Sequence, residues 1–341
     1  MADAQYIGKT RHFFMSSRRI HLEARLSPGV AGRRLDQALA ETFPEHSRTR
    51  LKAWIEGGQA TVDGRAGRPK DTVVGGEWVR VEAEVAAEVP LAPQRIDLDL
   101  VFEDEHLLVV AKPPGLVVHP GAGNPDRTLQ NALLAHDAAL AGLPRAGIVH
   151  RLDKDTSGLL VVARSLEAHT ALVRALEARD IHREYEAVVH GVMTGGGVID
   201  APIGRHAADR LRQAIREDGR PAVTHYRLLE RFRAHTHLRV VLETGRTHQI
   251  RVHLAHIGYP IVGDPVYGRR LAIPRGATPR LADTLRGFRR QALHAARLEL
   301  AHPVTGRPLA LETPRPTDFE GLLEALREDA DVAARPVDRR G

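Results

Sequence analysis

The chain contains no cysteine, which excludes disulfide staples, thiolate zinc sites and a cysteine nucleophile, and which fits a reducing compartment. Long apolar runs are missing too: no stretch approaches the ~20 residues that cross a bilayer. The N-terminus carries Lys9, Arg11, Arg18 and Arg19 without the apolar segment of a signal peptide. A cytoplasmic protein that touches no membrane is expected. Lysine is scarce, occurring only at positions 9, 52, 70, 112 and 154, so nearly all the positive charge is arginine. That bias reflects coding preference or a need for guanidinium forks, which suit phosphates and stack on bases.

What is present is a chain of 341 residues, 43% of them hydrophobic, long enough for two or three domains. Lys and Arg total 49 against 43 acids, a formal charge of +6. The pI near 9.9 favours polyanionic partners without naming one.

Residues 1–20 read as a disordered basic arm, with Met15 an alternative start. Over 33–84 the pattern becomes compact. Leu35, Ala38 and Leu39 mark a short helix, and Thr61–Val62 and Trp78–Val81 mark strands. Between them Ser47 caps a second helix, Leu51, Trp54 and Ile55 give it a buried stripe, and Gly57–Gly58 stop it. Its other face carries Arg48, Arg50 and Lys52, either a solvated face or an RNA contact. The Arg34-Leu35-Asp36 helix start, the Ser47-Arg48-Thr49-Arg50 start and the turn at Val62–Gly64 together resemble a small α/β S4 (αL-type) RNA-binding domain. Residues 85–95, rich in Ala, Glu and Pro, read as a linker.

From 96 to 328 strands rich in Val, Leu and Ile alternate with Gly/Pro/Asp turns and a few helices, an α+β pattern with a mixed, mainly antiparallel sheet. Leu107–Ala111 and Gly158–Ala163 are expected strands. A helix over Ser165–Arg179 should turn Leu166, Leu172, Val173 and Leu176 inward, and Phe319, Leu322, Leu323 and Leu326 mark a last helix. Residues 331–341 are expected to be a disordered tail.

Two polar clusters stand out. In Gly147–Ser165, His150, Arg151, Asp153, Lys154, Asp155, Thr156 and Ser157 are pinned between apolar runs, which makes either an active-site loop or a well-capped turn. Asp153 and Asp155 do not make a glycosidase pair, because residues two apart in an extended loop point opposite ways. In Glu243–His256, Arg246, His248, Arg251, His253 and His256 follow a glycine. Their spacing is not that of a helix-borne zinc site, so no metal is expected. Gly121–Pro125 lacks the third glycine of a dinucleotide loop.

Five segments in order, AKPPGLVVHPGAGNPD (111–126), HRLDKDTSGLLVVA (150–163), REYEAVVHG (183–191), GRTHQIRVHLAHIGYPIVGDPVYG (245–268) and RQALHAARLELAHP (290–303), resemble the RluA family of pseudouridine synthases. The S4-like front end narrows the resemblance to the RluD-type branch. It implies an RNA pseudouridine synthase, an isomerase without cofactor. Its partner would be 23S rRNA or a large-subunit precursor, at the helix 69 stem-loop (uridines 1911, 1915 and 1917), in support of ribosome assembly, with the protein a monomer. Another rRNA or tRNA uridine, or a non-catalytic S4-type assembly factor, are the alternatives. The resemblance makes Asp153 the essential carboxylate, acting at ribose C1′, at uracil C6 or on a ribose proton. It makes Arg251 the ion-pair partner that offsets desolvation of that carboxylate. It also makes Tyr185 the ring that stacks on the target base, and Arg151 the wedge that fills the gap left by the extruded base. RNA contacts are expected at His150, Arg246, His248, Arg48, Arg50, Lys52, Arg269, Arg289 and Arg290, where phosphate contacts would position the RNA without reading its sequence.

Overall fold

The structure, a computed structural model, describes residues 17–86, 91–121, 123–209, 212–268 and 270–334. The chain divides into two compact units, residues 1–90 and 91–341.

In the first unit, strands β1 (Ser17–Arg25), β2 (Ala60–Val62), β3 (Arg65–Ala66) and β4 (Trp78–Ala86) form one sheet in the order β1-β4-β2-β3, beside helices α1 (Leu35–Thr42) and α2 (Arg48–Glu56). Ser47 caps α2 by accepting from the Arg50 N–H at 3.3 Å. Leu51, Trp54 and Ile55 bury one stripe of α2 against Leu35, Leu39, Val79 and Val81. Asp63 and Gly64, both at positive φ, make the tight β2–β3 turn. Two expectations are corrected here. Residues 17–20, placed in a disordered arm, belong to β1, which pairs with β4 from Ser17↔Ala86 to Arg25↔Trp78, and residues 85–86, placed in the linker, lie in that ladder. Residues 1–16 lie outside the described residues.

The second unit is built on a sheet with the order β5-β6-β7-β14-β8-β13-β12-β9, where β15 also pairs β14. The strands are β5 (Leu100–Glu103), β6 (Leu107–Lys112), β7 (Ser157–Ala163), β8 (His182–His190), β9 (Gly197–Asp200), β12 (Val223–Arg231), β13 (His235–Leu242), β14 (Leu293–Ala301) and β15 (Pro308–Glu312), with a separate hairpin of β10 (Ile203–Arg205) and β11 (Gln213–Ile215). Only β7 and β14 run parallel, over His294↔Ser157 and Ala295↔Gly158, so the sheet is mixed and mainly antiparallel as expected. Every residue of β7 is buried, because Leu160 and Val162 face one core while Leu159 and Val161 face another under helix α4 (Leu166–Ala178). Gly158, at φ +111, is required there: a Cβ would lie 2.1 Å from the Ala295 carbonyl oxygen.

Helices α3 (Leu129–His136), α5 (Gln249–His256), α6 (Pro279–Gly287) and α7 (Thr317–Ala334) complete the unit. Leu166, expected inward, is 62% exposed in the first turn of α4, whereas Leu172, also expected inward, is buried together with Ala168. Residues 331–334, placed in a disordered tail, continue α7, and 335–341 lie outside the described residues.

Candidate active site

The loop from His150 to Thr156 is fixed at its backbone. Lys112, at the end of β6 and 1% exposed, donates from Nζ to the carbonyls of Pro113 (2.8 Å), Leu116 (3.0 Å) and Lys154 (2.9 Å). Burial pushes this ammonium down to about 7, against the pull of Asp155 and Asp153. Gln291 donates to Thr156 Oγ1 at 3.0 Å, Arg290 to the Asp155 carbonyl at 3.2 Å, and the Thr156 N–H to the Asp153 carbonyl at 3.1 Å. A loop held at so many points presents one side chain in one place. That side chain is Asp153, which lines a pocket of about 330 Å³ with Arg151, Tyr185, Arg246, His248 and Arg251.

The second cluster comes in from β13 and α5. Gln249 Oε1 accepts from the Arg246 N–H (3.0 Å) and Thr244 Oγ1 (2.8 Å), while its amide donates to the Val223 carbonyl (3.0 Å) and Thr224 Oγ1 (2.9 Å). This buried, fully bonded glutamine staples the turn before α5 to β12. Arg251, 4% exposed, then sits between two carboxylates. Its Nη1 donates to Asp153 Oδ2 at 3.0 Å, and its Nε and Nη2 donate to Asp264 at 2.7 and 2.8 Å. The Asp264 side chain is fully buried and also accepts the N–H groups of Val266 and Tyr267. Burial raises the Asp264 pKa, but the Arg251 bonds more than offset that and hold it below the usual range. Burial works against the Arg251 charge, and the two carboxylates override it, raising its pKa. Asp153 keeps a side-chain exposure of 16%, and its other oxygen lies 3.8 Å from His248 Nε2, beyond hydrogen-bond reach.

His248 caps α5 in the left-handed conformation (φ +57), with Nδ1 2.8 Å from the Tyr267 hydroxyl. Burial lowers its pKa although Asp153 pulls the other way. Tyr185, on β8, is 6% exposed, and burial raises its pKa, offset in part by the Arg183 charge.

The structure thus brings Asp153, Arg251, Tyr185, His248, Arg246 and Arg151 to one pocket. Of the other expected RNA contacts, His150 and Arg290 are corrected. His150 lines the pocket, but its Nε2 is occupied, accepting from the Val161 N–H at 3.0 Å; burial, with the Arg183 charge, pushes its pKa down to about 3, so the ring is neutral and braces β7. Arg290, 8% exposed, bonds Asp318 at 2.6 and 2.8 Å and is not offered to a ligand. Arg48 grips the buried Asp36 at 2.7 Å, tying α2 to the first turn of α1, and Lys52 lies 3.4 Å from Glu56 on its own helix. Arg50 is half-buried in α2 and Arg289 is exposed. Arg269 lies outside the described residues. Sequence reasoning passed over Asp264, Lys112 and Gln249, although all three stand inside the quoted segments. Among the described residues there is no cluster of three or more His, Asp or Glu side chains placed to hold a metal, and no helix long and apolar enough to cross a membrane.

Residues 106–256 match the profile of the family described as RNA pseudouridylate synthase. A Xanthomonas campestris protein named ribosomal large subunit pseudouridine synthase D is 60% identical over 92% of this chain and 94% of its own length. The protein of the same name from Escherichia coli K12 is 53% identical over 94% and 99%. Among solved structures, human RNA pseudouridylate synthase domain containing 4 matches with a TM-score of 0.54 and 28% identity, over 67% of this chain and 93% of that one.

Proposed function

From the premise that the chain belongs to the RNA pseudouridylate synthase family and is an RNA pseudouridine synthase, an isomerase, we propose that its substrate is large-subunit ribosomal RNA, at uridines of the helix 69 stem-loop. We propose further that Asp153 is its catalytic carboxylate. The observation that carries the reading is the Asp153 carboxylate itself. It is bonded at one oxygen by a buried guanidinium, turned into a pocket, and set beside the buried ring of Tyr185.

The reaction breaks the bond from uracil N1 to ribose C1′ and makes one from C5 to C1′, while the C5 proton is lost and N1 gains one. Nothing is oxidised or reduced and no group is donated, so the residues need only hold, turn and deprotonate the base. An ionised carboxylate in a partly desolvated pocket needs a cation, and Arg251 supplies it. Arg251 in turn needs a neutraliser that does not move during the reaction, and Asp264 supplies that. Tyr185, flat and apolar over most of its surface, suits stacking on an extruded uracil, and Arg151, exposed at the pocket, suits the place the base vacates. The unit of residues 17–86, whose helix α2 carries Arg50 and Lys52, serves as an S4-type RNA-binding domain, and the site of action is cytoplasmic, with the protein as a monomer.

The test is to map pseudouridines in rRNA from a strain lacking the gene and in the same strain carrying wild type or Asp153→Asn. The reading expects helix 69 pseudouridines to vanish on deletion, to return with wild type and to stay absent with the variant, which still binds the RNA. Unchanged rRNA on deletion sinks the target, and activity in Asp153→Asn sinks the catalytic assignment.

A further inference from the structure

Three arginines of the described second unit are more than nine-tenths buried, and they are treated differently. Arg251 has Asp153 and Asp264, and Arg290 has Asp318. Arg183 has neither a hydrogen bond nor an ion pair to any described residue, and its Nε is a buried donor without an acceptor. It lies on β8 two residues before Tyr185, so strand alternation puts both on one face, and both line the active-site pocket. Gly245 makes room for it: a Cβ there would stand 2.8 Å from Arg183 Nη1.

A desolvated guanidinium with no counter-charge is costly to keep unless a ligand brings one. The pocket around it has positive charge to spare. Arg145, Arg151, Arg183 and Arg246 all line it, and its one acid, Asp153, is already bonded to Arg251. The uracil base is neutral, so the permanent negative charge of an RNA strand lies on its phosphodiesters. Extruding a nucleotide turns it about its backbone and carries its flanking phosphates toward the pocket. The planar fork of arginine matches two phosphate oxygens.

We propose that Arg183 binds a backbone phosphate beside the extruded uridine. This rests on the RNA-synthase reading above and adds an anion subsite to it. Arg151 is exposed and can meet RNA before any base is extruded, whereas Arg183 is 8% exposed, so a phosphate reaches it only with the nucleotide turned inward. Binding energy gained there makes the extruded state the predominant bound form, so loss of the contact is read in Kd rather than in the rate.

The experiment uses the full chain and a helix 69 stem-loop RNA, in which the phosphates near the target are replaced one at a time by neutral methylphosphonates. It reads the Kd against salt concentration and the single-turnover rate at saturating enzyme. Arg183→Met should weaken binding about tenfold and lower the salt slope by roughly 0.7–0.9, the share of one phosphate contact, with less than about a threefold loss of single-turnover rate. One methylphosphonate position should cost wild type a similar factor and cost Arg183→Met nothing. Arg183→Lys should keep the salt slope while binding more weakly than wild type. The proposal is overturned if Kd and slope do not change, which makes the arginine structural. It is equally overturned if binding is intact and the rate collapses, which puts the guanidinium on charge developing in the departing uracil. If Arg183→Met does not fold, Arg183→Gln, which also removes the charge, takes its place in the methylphosphonate scan, and a profile identical to that of wild type refutes the proposal. Binding needs no turnover, so a wild type that binds the RNA but forms no pseudouridine counts against the synthase reading and not against this subsite.

Discussion

The same isosteric change made on either side of Arg251 should separate stability from activity. Asp264 is fully buried and accepts four bonds, two from the Arg251 guanidinium and one each from the N–H groups of Val266 and Tyr267. In Asp264→Asn the amide oxygen can still serve the two backbone donors. The new NH2 then meets a guanidinium N–H, donor against donor, and Arg251 loses its rear counter-charge. Removing one partner of a buried ion pair costs about 3–5 kcal/mol. At about 2–4 °C per kcal/mol for a unit of this size, the thermal midpoint should fall by roughly 10 °C. Asp153 accepts a single Arg251 bond and is partly exposed. Asp153→Asn therefore forfeits one charge-assisted bond, about 1–3 kcal/mol, offset by relief of a desolvated charge, while Asp264 continues to neutralise Arg251. Its midpoint should move by only a few degrees, yet it should form no pseudouridine.

Differential scanning calorimetry and a tritium-release or mass-spectrometric assay on the same two proteins read both quantities. A midpoint for Asp153→Asn as low as that for Asp264→Asn would refute the division of labour, as would an unaltered Asp264→Asn. Arg251→Met made in the Asp264→Asn background adds a check. Removing the cation that has lost its rear counter-charge should recover part of the lost stability, so the two changes should be non-additive by more than about 1 kcal/mol.

Three further outcomes follow from the same packing. Gly158→Ala, which drives a Cβ into the Ala295 carbonyl at a positive φ, should destabilise by more than about 3 kcal/mol, and urea unfolding at a wild-type midpoint would contradict the tight β7–β14 approach. Burial pushes Glu186 up, but bonds from His237 and Arg315 prevail and hold it at about 2 against an ordinary 4.5. Its contribution, roughly 3 kcal/mol, is therefore present above pH 4.5 and lost as pH falls from there to about 2, so the stability gap between wild type and Glu186→Gln should close over that window. A gap independent of pH would count against it. Lys112→Met leaves three carbonyls without their shared donor and should lower both the midpoint and the rate at saturating RNA while sparing RNA affinity; an unchanged rate would show that the Asp153 loop does not depend on Lys112.

Local signals were legible where the determinants are local. Helix α2 is written in Ser47, the Leu51–Trp54–Ile55 stripe and the Gly57–Gly58 stop, and the β2–β3 turn in Asp63–Gly64, because caps, stripes and turns depend on neighbours within four residues. Strand β1 was not. Its Ile20, Leu22 and Ala24 alternate correctly, but the arginines around them read as a charged arm, and the partner that makes it a strand lies more than fifty residues away at Trp78–Ala86. The extension of α7 through Asp331–Ala334 was masked by the arginines and proline that follow it. Arg290 read as a phosphate ligand because a surplus of arginine in sequence says nothing about Asp318, which the fold brings to it.

The site shows the same limit in sharper form. From residues alone Asp153 and Asp155 were two acids in one loop, and the alternation of an extended backbone already argued that they diverge; in the structure Asp153 lines the pocket and Asp155 does not. The finer geometry depends on Asp264. An arginine facing a lone carboxylate closes its fork on both oxygens. Here the Nε and Nη2 edge of Arg251 is taken by Asp264, so only Nη1 is left for Asp153, and it binds Oδ2 alone. The other oxygen, 3.8 Å from His248, stays open to the pocket. Asp264, which does not itself line the pocket, thus takes the fork of Arg251 and leaves one Asp153 oxygen unengaged, the arrangement that the proposed action on a ribose or a uracil needs.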